Sequence, residues 1–292
     1  MQQFINTALG GITLGMVYAA FALALVMIWR STRIVNFAQA PMAMVTTFLA
    51  LSIIDAGYSY WLGFAAALLG GLVLGAVIER GVIRPVEGKS EINAVILTLG
   101  LFVVLHAFAS LVFGNRYRSF PAPFGIRGLE VGDTTIGLTG FGIFTVVSVL
   151  VVMGLLLLLF RFTDVGLRMR ASAFNPEVAR LLGVRVGGML TLGWALASLV
   201  GSLAGLLIAG GSLVHPNYMD SIVVYGFVAA VLGGLDSPVG AVVGGLLLGV
   251  SLSFVSGYLG SELVALASLL ILMAVLLLRP GGLFAQAEER RV

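Results

Sequence analysis

Residues 140–185 read GFGIFTVVSVLVVMGLLLLLF and then RFTDVGLRMRASAFNPEVARLLGVR, and the join between these two halves decides the fold. The first 21 residues carry no charge, and at about 1.5 Å per helical residue they cross the ~30 Å hydrocarbon layer of a membrane. The next 25 carry seven charged side chains, five of them arginine, which lipid does not accept. A membrane helix therefore runs directly into a polar segment that faces a partner.

Within that segment the residues outline a helix over 176–182. Asn175 can cap it with its side-chain oxygen, Pro176 suits the first helical position, and Gly183 stands where a left-handed C-terminal cap is wanted. Val178, Leu181 and Leu182 fall at i, i+3 and i+4 on one face, with Glu177 and Arg180 to the sides. A helix this short is not stable alone, so the lipid interface or another protein must hold it.

Outward from this point the chain repeats the apolar half of the pattern. Of 292 residues 60% are hydrophobic and 10% charged, with a mean hydropathy of +1.11, too little polar surface for a soluble globule. Apolar runs occupy about 5–29, 36–54, 61–79, 92–113, 140–160, 187–210, 220–234, 239–256 and 262–278, so eight to ten membrane helices are expected. The run 220–234 is short and 36–54 contains Pro41, which marks both as candidates for broken or partly re-entrant helices. Thirty-nine glycines point to closely packed helices, not to the alternating strands of an outer-membrane barrel. The class is all-α, a polytopic helix bundle forming one domain over 1–292, with 161–185 its longest charged insertion. MQQFINTALGG carries no basic residue before the first apolar run, so that run is expected to remain a membrane helix and not a cleaved signal.

Basic residues set the orientation. With the N-terminus outside and the C-terminus in the cytoplasm, thirteen of the sixteen lysines and arginines fall on the cytoplasmic side. They are Arg30, Arg33, Arg80, Arg84, Lys89, the five arginines of 161–185, Arg279, Arg290 and Arg291. Arg116, Arg118 and Arg127 fall outside, partly balanced by Glu130 and Asp133. Two sextets, Gly70-Gly71-Leu72-Val73-Leu74-Gly75 and Gly244-Gly245-Leu246-Leu247-Leu248-Gly249, stand at corresponding places in the two halves and raise the possibility of an internal repeat.

Enzyme chemistry finds little support. Gly88-Lys89-Ser90 ends like a phosphate-binding loop, but Ile83 stands where its first glycine belongs, and Glu87 and Glu91 would repel phosphate. Ser202, Ser212 and His215 raise a serine hydrolase, but Ser212 and His215 lie three apart in one turn beside Pro216 and not on separate elements, and His106 on an apolar helix reads as a structural histidine. His215 and Asp220 alone do not make a metal site, and no cysteine is present. The polar residues at membrane depth, Asn36, Gln39, Asn93 and Thr98, are candidates for lining a path or for tying helices together. No clearly spanning run holds a buried carboxylate suited to a proton relay, which argues against an ion-coupled carrier.

Four blocks resemble the permease subunits of bacterial ATP-binding-cassette importers for branched-chain amino acids. They are Val35-Asn36-Phe37-Ala38; Gly166-x-Arg168-x-Arg170-Ala171 leading to Ala179-x-x-Leu182-Gly183; Ala230-Val231-Leu232-Gly233-Gly234-Leu235-Asp236-Ser237-Pro238-x-Gly240-Ala241; and Arg279-Pro280-x-Gly282-Leu283-Phe284. Asp236 stands where the resemblance leads one to expect a glycine. The resemblance implies a multi-pass subunit of the bacterial inner membrane that works with a second related permease, two ATPase subunits and an external solute-binding protein. It implies no cofactor in this chain, since ATP and magnesium belong to the ATPases, and no nucleic-acid partner. It also implies that Asn175, Pro176, Glu177, Val178, Ala179, Arg180, Leu181, Leu182 and Gly183 form the element docked on the ATPase. Related importers of urea or short amides, and a channel working without ATPase, are the alternatives.

Overall fold

The computed structural model of the protein describes residues 1–86, 91–131 and 134–284. The Gly88-Lys89-Ser90 reading, with Glu87, and the positions of Asp133, Arg290 and Arg291 lie outside the described residues, as do the side chains of Glu91 and Glu130. Every apolar run becomes a helix: α1 (Gln2–Thr32), α2 (Gln39–Asp55), α3 (Tyr60–Ile78), α4 (Glu91–Phe113), α5 (Gly140–Phe162), α8 (Val186–Ala209), α9 (Asp220–Gly233), α10 (Pro238–Tyr258) and α11 (Val264–Leu278). Seven of these spans are long and apolar enough to cross a membrane, while α2 and α9 are the shorter ones. Between α5 and α8 lie α6 (Asp164–Phe174) and α7 (Pro176–Leu181).

α1 and α8 form the centre, because their small and apolar residues let neighbours close in on every side; α1 is buried without interruption from Gly15 to Ile28. α3 packs on α8 and α10 packs on α1. The glycine sextets explain this pairing. A Cβ on Gly71 or Gly75 would come under 3.0 Å of Ser202, or of Trp194 and Ser198, on α8; one on Gly245 or Gly249 would come equally close to Ala19 or Gly15 on α1. The first glycine of each sextet turns to the short helix instead, Gly70 to Leu49 on α2 and Gly244 to Ala229 on α9. Exchanging α1 with α8, α2 with α9 and α3 with α10 thus maps one packing onto the other. Ser31, near the end of α1, lies beside Gly193 near the start of α8, so the two run antiparallel and the repeat is inverted.

The two short helices are short because the chain before each dips into the bundle. Arg33 ends α1 in the left-handed region (φ 58°), its N–H donating to the Trp29 carbonyl. The chain then descends: Gln39 Nε2 donates to the carbonyl of Ala197, eleven residues into α8 and so about 17 Å from its start. Asn36 Oδ1 accepts from the Ala38 N–H, and Pro41 falls in the first turn of α2, where its missing N–H costs nothing. The mirror-related connection, 210–219, enters from the opposite end. The final block also finds its purpose here: the N–H groups of Leu283 and Phe284 donate to the carbonyls of Leu232 and Gly233, which requires Gly282 (φ 85°) to lie against Gly234 (φ 104°).

Two differences from the sequence expectations stand out. The insertion 114–139 is not plain loop: β1 (Arg118–Ser119) pairs with β4 (Leu213–Val214), and β2 (Gly128–Val131) pairs with β3 (Thr134–Thr139), whose Gly137 N–H reaches Asn6 Oδ1. And a carboxylate is buried in a span after all. α3 continues through a π turn (Glu79–Ile83) and a 3₁₀ turn (Arg84–Val86), and Glu79, 2% exposed, is held there by Arg84. The bulge brings the two side chains onto one side, so the charge is paired and serves no relay.

Candidate docking ridge and membrane path

α6 starts where Thr163 Oγ1 accepts from the Gly166 N–H with Asp164 in its first turn, and Gly166 lets it fold back against Leu159 and Phe160 of α5. α7 starts one residue after α6 ends. Asn175 Oδ1 accepts from the Val178 N–H at 3.1 Å and Pro176 takes the first position, as the residues predict. It closes one residue earlier than expected, with Leu182 as the cap residue. Gly183 (φ 81°) donates to the Arg180 carbonyl and Val184 to that of Ala179, the paired bonds of a left-handed C-cap.

Ala179 is buried against Val186 and Leu190, so it fastens α7 to the chain's own α8. Leu181 and Leu182 are 87% and 77% exposed, and Val178 is about half-exposed. Phe174, which the sequence reading passed over, is 93% exposed at the end of α6. Arg168, Arg170, Glu177, Arg180 and Arg185 are exposed around them. The arrangement is an apolar crest with a charged rim, rigidly capped at both ends. Ser172, by contrast, is buried and donates to the Arg168 carbonyl.

Immediately behind the ridge, Arg84 grips the start of α8. Its Nε and one terminal nitrogen donate to the two Glu79 oxygens at 3.0 and 2.8 Å, and that terminal nitrogen also reaches the Gly187 carbonyl and Thr191 Oγ1, both at 2.7 Å. Thr191 Oγ1 lies 2.7 Å from Glu79 Oε2. Arg84, Glu79 and Thr191 thereby tie the end of the third span to the start of α8.

Of the four polar candidates at membrane depth, two bond each other and a third is buried against the carbonyl next to them. Asn36 Nδ2 donates to Gln39 Oε1 at 3.1 Å, Gln39 donates onward to Ala197, and Thr98 Oγ1 lies 3.0 Å from the Val95 carbonyl and 3.3 Å from that of Val35. Asn36, Gln39 and Thr98 are each 1% exposed or less, whereas Asn93 reaches the surface in a shallow groove with Val82, Ile96 and Val104. The hydroxyls weighed for catalysis are occupied: Ser202 Oγ donates to Ser198 and accepts from Thr46, and Ser212 Oγ donates to Ile208. Among the described residues no three His, Asp or Glu side chains gather. His106 and Asp220, 114 residues apart, do meet: Nε2 to Oδ1 is 3.0 Å, while Asn217 Nδ2 donates to Asp220 Oδ2 at 3.0 Å. No local pattern in the sequence could have paired them.

Antiparallel repeats with broken helices, a polar node at depth and a capped ridge at one end define a transport subunit of the helical membrane class. A family model described as "Branched-chain amino acid transport system / permease component" matches residues 7–278, and the chain belongs to that family. It is 28% identical to the high-affinity branched-chain amino acid transport system permease protein LivH of Salmonella typhimurium, over 99% of this chain and 98% of the relative. It is also 28% identical to the corresponding protein BraD of Pseudomonas aeruginosa, over 100% and 98%. A solved structure, PsaBC from Streptococcus pneumoniae in complex with Fab, superposes with a TM-score of 0.51 at 17% identity, covering 94% of this chain and 91% of that one, which extends the likeness to the fold. The chain is thus a multi-pass membrane permease component.

Proposed function

We propose that this protein is the membrane permease of an ATP-driven importer that passes branched-chain and other hydrophobic amino acids, received from an external solute-binding protein, into the cytoplasm. The observation that carries the reading is likeness along nearly the whole chain to proteins named as branched-chain amino acid permeases. In this reading a second, related permease completes the path and two ATPase subunits bind at the arginine-rich end, which faces the cytoplasm, with the N-terminus outside. The ridge supports the docking. Leu181, Leu182, Phe174 and Val178 enter a groove on the ATPase, Glu177 and Arg180 make rim contacts, and Ala179 and Gly183 fix the helix to α8. ATP-driven closure then moves α7 as a rigid body, and the Arg84 clamp carries that movement from α8 to α3.

The test is reconstitution of the complex in proteoliposomes with its binding protein. ATP-dependent uptake of leucine, isoleucine and valine but not urea is expected; uptake of urea without leucine overturns the substrate class. Leu181→Glu is expected to leave the permease inserted but to remove copurifying ATPase and uptake, and full retention of both would make the ridge an ordinary interfacial loop. Orientation is read by impermeant thiol labelling of single cysteines in this cysteine-free chain, with Ser119→Cys labelled from outside and the exposed Ala173→Cys protected in intact cells.

A further inference from the structure

The His106–Asp220 pair lies at membrane depth by two independent measures. His106 sits seven residues before the end of α4 at Phe113, about 10 Å along the helix. α9, which begins at Asp220, is 14 residues or about 21 Å long, and so starts about 10 Å short of a ~30 Å layer. Both place the pair below the headgroups.

Its protons can be counted. The Phe102 carbonyl, 2.9 Å from His106 Nδ1, can only accept, so Nδ1 carries hydrogen. A 3.0 Å contact between Nε2 and a carboxyl oxygen holds one more proton between them. The two side chains therefore share a proton across this contact, and Asn217 Nδ2 donates to the other carboxyl oxygen.

Yet the pair is not sealed. The Asp220 side chain is 41% exposed and that of His106 is 14% exposed, and Ser221 and Asn217 beside them are exposed too. A carboxylate open to lipid is costly, whereas one open to a water-filled path is not. Elsewhere α4 packs mainly on α2 and the π turn, so beside this pair the α4–α9 face is open. α5, exposed over as much of its length, turns apolar side chains such as Val147, Leu150 and Leu157 outward, as α4 does with Val103, Val104 and Phe108, but it carries no charged group before Arg161 near its end.

We infer that the α4–α9 face is one wall of the translocation path, and that the His106–Asp220 pair is a station for the charged head of a zwitterionic amino acid. The Asp220 carboxyl takes the ammonium and a ring N–H of His106 takes the carboxylate. The inference rests on the importer reading above and deepens it, since urea has no charges for such a pair to match. A pair that can part to receive opposite charges and then close again suits a path, where binding must be weak enough to release.

Two measurements test it on the complete complex. Ser221→Cys in the cysteine-free chain is labelled with a charged, impermeant thiol reagent, with Leu150→Cys on α5 as the lipid-facing control. Labelling at least tenfold faster at position 221, slowed by leucine-loaded binding protein, is expected; equal rates overturn the path. Asp220→Asn, with its amide in the same volume, is expected to raise the KM for leucine uptake tenfold or more in a complex that still copurifies its ATPase, with Asp220→Glu recovering part of the loss. An unchanged KM overturns the station. If the parent complex moves no amino acid, the importer reading fails, while the thiol rates still decide whether the face meets water.

Discussion

The two broken corners occupy equivalent places in an inverted repeat and are finished in opposite chemistry. At 33–38 the chain is closed by amides: Asn36, Gln39 and the Ala197 carbonyl satisfy one another out of contact with water. At 210–220 it is closed by a hydrogen-bonded histidine–aspartate pair that stays partly open. Buried neutral amides hold position without attracting ions, and a partly exposed histidine–aspartate pair holds position less firmly but can exchange partners. The symmetry of the backbone therefore does not extend to function. One corner is a fixed support, and the other has the means to let a solute pass.

Substitutions can break or sharpen this contrast. The largest effect is expected where the halves are alike. Gly249→Val and Gly75→Val both drive a branched side chain into facing backbone, Gly15 in one case and Trp194 in the other, which cannot repack as a side chain would. Both should abolish monodisperse protein by detergent size-exclusion chromatography, and survival of either alone would break the equivalence of the two sextets. Gln39→Leu comes next. It strands the Asn36 amide and removes the tie to α8, costing about 1–3 kcal/mol, seen as a lowered Tm of the purified permease. Asp220→Asn should lower Tm less, because its partner is not fully buried; a larger fall would reverse the assignment of support and station. The smallest effect belongs to Arg33→Gly, which relieves a left-handed backbone but loses an exposed ion pair with Asp236. These offset to within about 1 kcal/mol, so Tm should hardly move.

Much of this architecture was legible because lipid imposes a simple rule on sequence. Each of the nine apolar runs matches a bundle helix among the described residues, and Pro41 and the shortness of 220–234 picked out the two short ones. The cap residues Asn175, Pro176 and Gly183 announced α7 because capping is local chemistry. α6 escaped notice because its charged residues obscure its face, although Thr163 followed by Asp164 is a helix start. Phe174 escaped with it, falling at the junction of two helices that only the fold defines. Glu79 could not be seen as buried, since its partner Arg84 comes onto the same side only through a π turn. The same holds for His106 and Asp220, whose meeting depends on how deeply one connection dips.

The exchange of packing between the halves also sets a timetable for synthesis. α1 ends at Thr32, but the helix its small residues receive is complete only at Tyr258, more than 200 residues later. At about 5–20 residues per second, the ribosome needs roughly ten to forty seconds to deliver it. During that interval α1 and α3 stand in the membrane with open glycine-lined faces whose proper occupants do not yet exist. Neither half can mature first, so the nascent chain must be kept from the wrong neighbours until the last helices arrive.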